Sequence, residues 1–202
     1  EDMQARAAIT GFLRGRRSVA SEAARGFFNL YETETFSTLT GPGYKARLDA
    51  PTPRTLSAVR HFRNVARSLC KVDARFAAAR TGLVQGGLLA TLRYDVEHGR
   101  EDEHRALVTG GVARDLAEAP GIAAVTLLAA DPGASGYVNA EQRARGDANL
   151  IPPFAVLVEG WAEEEAFRDR LQSAFAPQAL AALHVRPGAS LGFYRHQVTV
   201  SR

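Results

Sequence analysis

Apolar and polar positions alternate in short blocks along this chain, and the blocks predict strands interleaved with amphipathic helices. In the second half, Gly87 to Asp95 is a β-prone run between glycines and a charged turn, and it predicts a strand. From Asp102 to Ala119, Leu107, Val108, Val112 and Leu116 recur at helical spacing, acidic residues fill the first turn, and Pro120-Gly121 ends the helix. Ile122 to Ala130 and Pro153 to Gly160 predict two further strands. Ala162 to Phe175 predicts a helix with Phe167, Leu171 and Phe175 on one face, and Gly192 to Val200 a closing strand. The order is β-α-β-β-α-β, a split ferredoxin-like unit.

The first half repeats that order. Thr10-Gly11-Phe12 matches Pro120-Gly121-Ile122, and Phe12 to Ala20 matches the strand from Ile122. Phe27 to Thr33 matches the strand containing Phe154. Tyr44 to Asn64 supplies helix broken by Pro51 and Pro53, and Val65 to Val72 matches the closing strand. Only a helix tail, Asp2 to Ala8, precedes Gly11, so the first repeat lacks its opening strand, and we expect roughly two dozen residues upstream of it. The expected organisation is a first repeat over 1–76, a linker over 77–86 and a second repeat over 87–202. A four-stranded antiparallel sheet with helices on one face leaves its other face bare. The fold class is therefore α+β: tandem ferredoxin-like repeats burying those faces in one pseudo-dimeric α/β barrel around a lined cavity.

Composition narrows the function classes. With 46% hydrophobic and 23% charged residues the chain is ordinary globular protein. No apolar run reaches the ~20 residues of a membrane span, and no signal-peptide pattern is present. The net charge of +3 comes without the Lys/Arg clustering that tracks phosphates, which argues against nucleic acid as a partner. Cys70 is the single cysteine, so no intrachain disulfide forms and a cytoplasmic location is expected.

Gly11-Phe-Leu-Arg-Gly-Arg-Arg17, Phe28-Asn-Leu-Tyr-Glu32, Leu39-Thr-Gly-Pro-Gly-Tyr44 and Pro51-Thr-Pro53 through His61-Phe-Arg-Asn64 resemble the EthD-like branch of the dimeric α/β-barrel superfamily. The likeness is densest over 9–72, and the residues resemble in particular bacterial members built as tandem ferredoxin-like repeats. Such members commonly carry Trp-His and Glu-His pairs ahead of the Gly-Phe-Leu-Arg-Gly motif; Asp2 stands at the position of the second histidine. The superfamily includes cofactor-free monooxygenases, lactone isomerases, polyketide cyclases, dehalogenating enzymes and haem-binding relatives. The resemblance thus implies a fold and a cavity, and leaves the reaction open.

Phosphate-loop, dinucleotide, nucleophile-elbow and zinc-protease motifs are all absent. Gly41-Pro-Gly43 reads as a turn before a helix. His98 and His104 bracket Glu101-Asp-Glu103, but the group straddles a turn and a helix start, so we expect a solvated helix terminus and no metal site. His184 as a haem ligand is set aside as a lone histidine.

His61, at the mouth of the closing strand, is the candidate for proton transfer because imidazole titrates near working pH. Asn29 and Tyr31 share a strand face opposite Phe28 and Leu30; the apolar pair should pack on the helices, sending Asn29 and Tyr31 into the cavity. Tyr31 joins His61 as the catalytic pair, with Asn29 and Asn64 binding substrate. Arg14, Arg16 and Arg17 fall in one strand, so at least one faces inward and needs an anion; otherwise they blunt an exposed edge. Arg16 and Arg93 are the candidate electrostatic partners of a carboxylated substrate, and Trp161 and Tyr194 should pack at strand ends. The expected activity is cofactor-free proton transfer (isomerase, cyclase or lyase type) on a polar or carboxylated small molecule. The rival is a non-catalytic small-molecule-binding or accessory protein, and a second copy of the chain, as a homodimer, is the other partner considered.

Overall fold

The computed structural model describes residues 2–77 and 86–201, so most of the expected linker lies outside the described residues. In the first repeat α1 (Asp2–Ala7) leads into β1 (Phe12–Glu22) and β2 (Phe27–Thr33). Then come α2 (Phe36–Thr40), α3 (Pro42–Asp49), α4 (Pro53–Val59) and β3 (Cys70–Ala77). The second repeat runs β4 (Leu88–Tyr94), α5 (Glu101–Gly110), α6 (Val112–Glu118), β5 (Ile122–Ala130), α7 (Pro132–Ser135) and α8 (Ala140–Arg145). It ends with β6 (Phe154–Gly160), α9 (Glu164–Ala174), α10 (Pro177–Ala182) and β7 (Ser190–Ser201).

Local chemistry sets several of these boundaries. Pro42 and Pro53 open α3 and α4, where a missing N–H costs nothing. The Thr52 hydroxyl accepts from the Thr55 amide at 3.1 Å, capping α4. Gly121, with φ of +82°, makes the turn from α6 into β5; a Cβ there would sit 2.4 Å from that of Ala162. The single helix expected over 102–119 is two, because Gly111 leaves helical geometry at φ −130° and ψ −99°.

The strands form one curled antiparallel sheet in the order β2-β1-β7-β4-β6-β5-β3. Within it β7-β4-β6-β5 is a complete ferredoxin-like set, with the repeat's first strand, β4, between its last and its third. The first repeat supplies β2-β1 at one end of the sheet and β3 at the other. Each repeat's second strand pairs with the other's last: β1 with β7, and β5 with β3. No strand among the described residues lies between β2 and β3, the place that β4 occupies in the second repeat. The tandem half-barrel is thus the observed architecture, with no counterpart of β4 in the first repeat among the described residues.

One strand is shifted from expectation. The closing strand of the first repeat begins at Cys70, not Val65, and runs on to Ala77. The strand-like pairing of residues 65–69 is an isolated parallel bridge, Ala66 to Leu150. Pairing with β5 (Cys70 opposite Ala130, Ala77 opposite Ala124) overrides the local pattern and leaves Val72 exposed.

The main core lies between sheet and helices in the second repeat. Ala90, Leu92, Val125, Val156, Val158 and Phe193 point to Val108, Leu116, Phe167, Leu171 and Phe175. Side chains at alternate positions on the same strands therefore face the barrel interior.

Candidate functional site

Three kinds of side chain line that interior. Across its middle, Leu89, Leu157 and Tyr194 are buried against Ala20, Phe28, Leu30 and Leu128, with the Phe28 and Tyr194 rings 5.8 Å apart. An ionic network occupies one end and a group of arginines the other.

The ionic network runs round the interior from β2 to β3. Arg16 donates from Nη1 to Glu159 Oε2 at 2.7 Å, with a second contact from Nη2 to Oε1 at 3.3 Å. Both residues are nearly dry, Arg16 at 7% and Glu159 at 3% exposure. Arg14 donates to both oxygens of Glu32, and Arg16 Nε lies 3.2 Å from Glu32 Oε2. Arg75 donates to the Thr126 hydroxyl at 3.0 Å and approaches Glu159 Oε1 at 3.5 Å. Burial pushes the Glu159 carboxyl up, but the hydrogen bond and charge of Arg16, then Arg75 and Arg14, outweigh it and hold it below its ordinary value. Three arginines against two glutamates leave an excess positive charge.

His196 stands on β7 opposite Ser18, two positions beyond Tyr194 on the same face, with Nε2 3.3 Å from the Thr199 hydroxyl. Burial lowers its pKa, Arg16 lowers it further, and Glu159 opposes both; the net shift is downward, so the ring is neutral at neutral pH. It is a half-buried, uncharged imidazole beside a cationic network, and the sequence reasoning passed over it. The signal was there: the period of two on β7 puts Gly192, Tyr194 and His196 on one face.

At the other end Arg93 donates from Nη2 to the Tyr194 hydroxyl at 3.4 Å. Arg93 Nε and the Thr91 hydroxyl are buried with no hydrogen-bond partner among the described residues. Arg25 shares this region: burial first, then the charge of Arg93, lowers its pKa. Arg25 Nε donates to the backbone carbonyl of Asn64 at 2.6 Å, where Asn64 adopts φ of +54°.

The sequence-predicted residues fall in three places. Arg16 belongs to the ionic end, and Arg93 and Asn64 to the arginine end. The face assignment on β2 is reversed: Phe28 and Leu30 line the interior, while Tyr31 packs on the helix side with Phe12 and Tyr44, and Asn29 is exposed. The cause is β1, whose bulge between Phe12 and Arg14 turns Arg14 and Arg16 inward and fixes their β2 neighbours Glu32 and Leu30 on the same face. Burial pushes the Tyr31 hydroxyl up to about 12, against the opposing charge of Arg6. His61 is exposed just past the end of α4, its amide donating to Ala58 O at 3.1 Å, and it does not line the cavity between the repeats.

Three other expectations are corrected. Arg16 is no edge charge, because β1 lies between β2 and β7. Tyr194 sits in the barrel centre at 1% exposure rather than at a strand end, while Trp161 is 62% exposed. His104 is not solvated: it is fully buried between Tyr94 and Phe154.

Register gives the separation of the two ends. Arg93 lies opposite Ser190, and His196 is six residues further along β7, about 20 Å at ~3.4 Å per residue. Among the described residues no cluster of His, Cys, Asp and Glu suits a metal, and no helix is long and apolar enough to cross a membrane.

This geometry defines a tandem ferredoxin-like half-barrel with a charged interior, and solved structures share the architecture. An anthrone oxidase-like protein superposes with a TM-score of 0.61 at 18% identity, over 98% of this chain and 82% of that one. A "putative monooxygenase" from Fusobacterium nucleatum gives 0.52 at 10% identity, over 96% of this chain and 79% of its own. Another from Lactobacillus acidophilus gives 0.51 at 10%, over 99% and 86%. No family model and no curated protein matches the chain. At these identities the likeness establishes the fold.

Proposed function

We propose that this protein is a small-molecule enzyme that moves a proton on an enolisable or phenolic organic substrate at the ionic end of the barrel. The observation that carries the reading is the place of half-buried His196 on the interior face of β7, beside the Arg16–Glu159–Arg75 network. His196 takes a proton from carbon next to a carbonyl, and the electron pair moves onto the carbonyl oxygen. Arg16 and Arg75, held in place by Glu159, face the oxyanion; the imidazolium then returns the proton to the same or another carbon. The apolar body of the substrate packs toward Leu89, Leu157 and Tyr194. The relatives named for oxidation of anthrone, or as monooxygenases, support an aromatic or polycyclic ketone as substrate.

The test is solvent-deuterium exchange into anthrone and phenylpyruvate followed by NMR. Wild-type protein should accelerate exchange in at least one, and His196→Gln should lose about 100-fold or more of it, the scale of a general base. His61→Gln should keep wild-type exchange. Loss in His61→Gln with retention in His196→Gln would return the chemistry to the sequence-predicted histidine and overturn this assignment.

A second reading, a binding protein without catalysis, draws on the filling of the barrel centre by Phe28 and Tyr194. Saturable anthrone binding with no exchange would favour it.

A further inference from the structure

Away from the barrel, a cavity of about 230 Å³ lies between the repeats, walled by α2 and α3 on one side and by α7 and the segment before β3 on the other. Among the described residues two cations line it, Lys45 and Arg67, and no carboxylate does. Arg67 Nη1 is shut off from solvent and has no hydrogen-bond partner among the described residues. A buried guanidinium nitrogen without an acceptor costs free energy that an anion would recover.

Apart from Thr40, the rest of the wall is aliphatic side chains, glycines and the Tyr137 ring. Leu39, Leu48 and Leu69 contribute aliphatic surface, and Lys45 Nζ lies 5.4 Å from the centre of the Tyr137 ring. The Tyr137 hydroxyl donates to Asp49, which also accepts from the Ala140 amide at 2.9 Å and from Arg143 at 3.1 Å. Asp49 is thereby committed to holding the ring and is not the counter-ion of Lys45 or Arg67. Gly133 and Gly136 complete the wall on the α7 side.

The geometry points to a second ligand site here, one that takes a small organic carboxylate with an apolar body. The carboxylate pairs with the Arg67 guanidinium, whose planar fork suits its two oxygens, and Lys45 supplies a point charge. The body lies on the leucines and the Tyr137 ring. At ~30 Å³ per water the cavity has room for on the order of eight waters, the size of a single-ring acid.

Benzoate is the probe, with benzyl alcohol and inorganic phosphate beside it, titrated into the whole chain at low salt by calorimetry and by amide NMR. Benzoate should bind saturably and at least about ten-fold tighter than either comparison ligand, about 1.4 kcal/mol. Amide shifts should centre on Gly133, Gly136 and Tyr137, a readout that needs no variant. Arg67→Gln and Lys45→Gln should each weaken benzoate about five-fold or more, while Arg93→Gln in the barrel should not. No saturation below about 10 mM overturns the site, as do shifts confined to the barrel strands or equal binding of phosphate. Loss of benzoate binding in Arg93→Gln but not in Arg67→Gln overturns it as well.

Discussion

The two repeats share one topology but are held together by different forces. The second buries a continuous apolar cluster, from Ala90 and Leu92 on β4 to Phe167 and Leu171 on α9. In the first, the helix-side cluster is Phe12, Tyr44 and Leu48, with Ile9, Tyr31 and Leu39 at its margin. Charge fills the difference. Arg6, 8% exposed, bridges Asp2 at 2.9 Å and Glu141 of the second repeat at 2.8 Å, and Arg47 reaches Asp2 at 3.0 Å. The first repeat also leans on its neighbour through β1 on β7 and β3 on β5. The second repeat is the scaffold, and the first is a charged partner docked onto it.

The sharpest way to break that comparison is at the charge shared across it. Glu159→Ala should destabilise the protein by about 3–5 kcal/mol, because Arg16 stays buried with its two-pronged partner gone and only the longer Glu32 contact left. The double variant Arg16→Met with Glu159→Leu should lose much less, since apolar replacement of a buried pair is often neutral. Urea unfolding of the two variants decides the matter. Equal losses would mean that the pair matters for its packing and not for its charge.

Next in size is a pair of core truncations. Leu171→Ala, at 0% exposure in the large cluster, should cost about 2–5 kcal/mol. Leu48→Ala should cost less although Leu48 is only 1% exposed, because its side chain already borders the inter-repeat cavity and so has fewer atoms to lose. A larger loss at Leu48 would show that the small cluster is the keystone of the docking.

Much of this fold was legible because period and punctuation agreed. Phe27–Thr33 and Ile122–Ala130 are bounded as the pattern predicts. The closing strand of the first repeat was not, since its position follows from pairing with β5 and not from its own residues. Faces were harder. Alternation groups Phe28 with Leu30 and Asn29 with Tyr31, but which pair turns inward depends on a bulge in β1, and a bulge leaves no composition signal. That one choice moved Tyr31 and Asn29 out of the barrel. The charged centre is non-local by nature: Arg16 and Glu159 lie in different repeats and meet only through sheet order, so neither residue announces the other. Arg16 could be nominated as an inward arginine; its partner could not.

The smallest predicted effect concerns pH and again separates the repeats, because it arises in the large core. His104 is fully buried, its Nδ1 2.7 Å from the Leu183 carbonyl and its Nε2 2.9 Å from the Tyr94 hydroxyl. A carbonyl can only accept, so Nδ1 carries the proton, and Nε2 accepts from Tyr94 in a neutral ring. Burial lowers the His104 pKa, and the hydrogen bond to Leu183 only partly offsets this, with Arg105 and His184 lowering it further and Asp73 opposing. The unfolded chain titrates near 6.5. Above that value the histidine is neutral in both states and the contact contributes in full. As pH falls below it, the unfolded state binds the proton first, so stability falls until the lowered folded pKa is reached. Urea midpoints should therefore drop between pH 7 and 5, and His104→Gln should flatten part of that drop, the remainder coming from groups such as His196 whose pKa is also lowered. A midpoint that declines equally in His104→Gln would show that the proton enters elsewhere and that the Tyr94–His104 contact survives it.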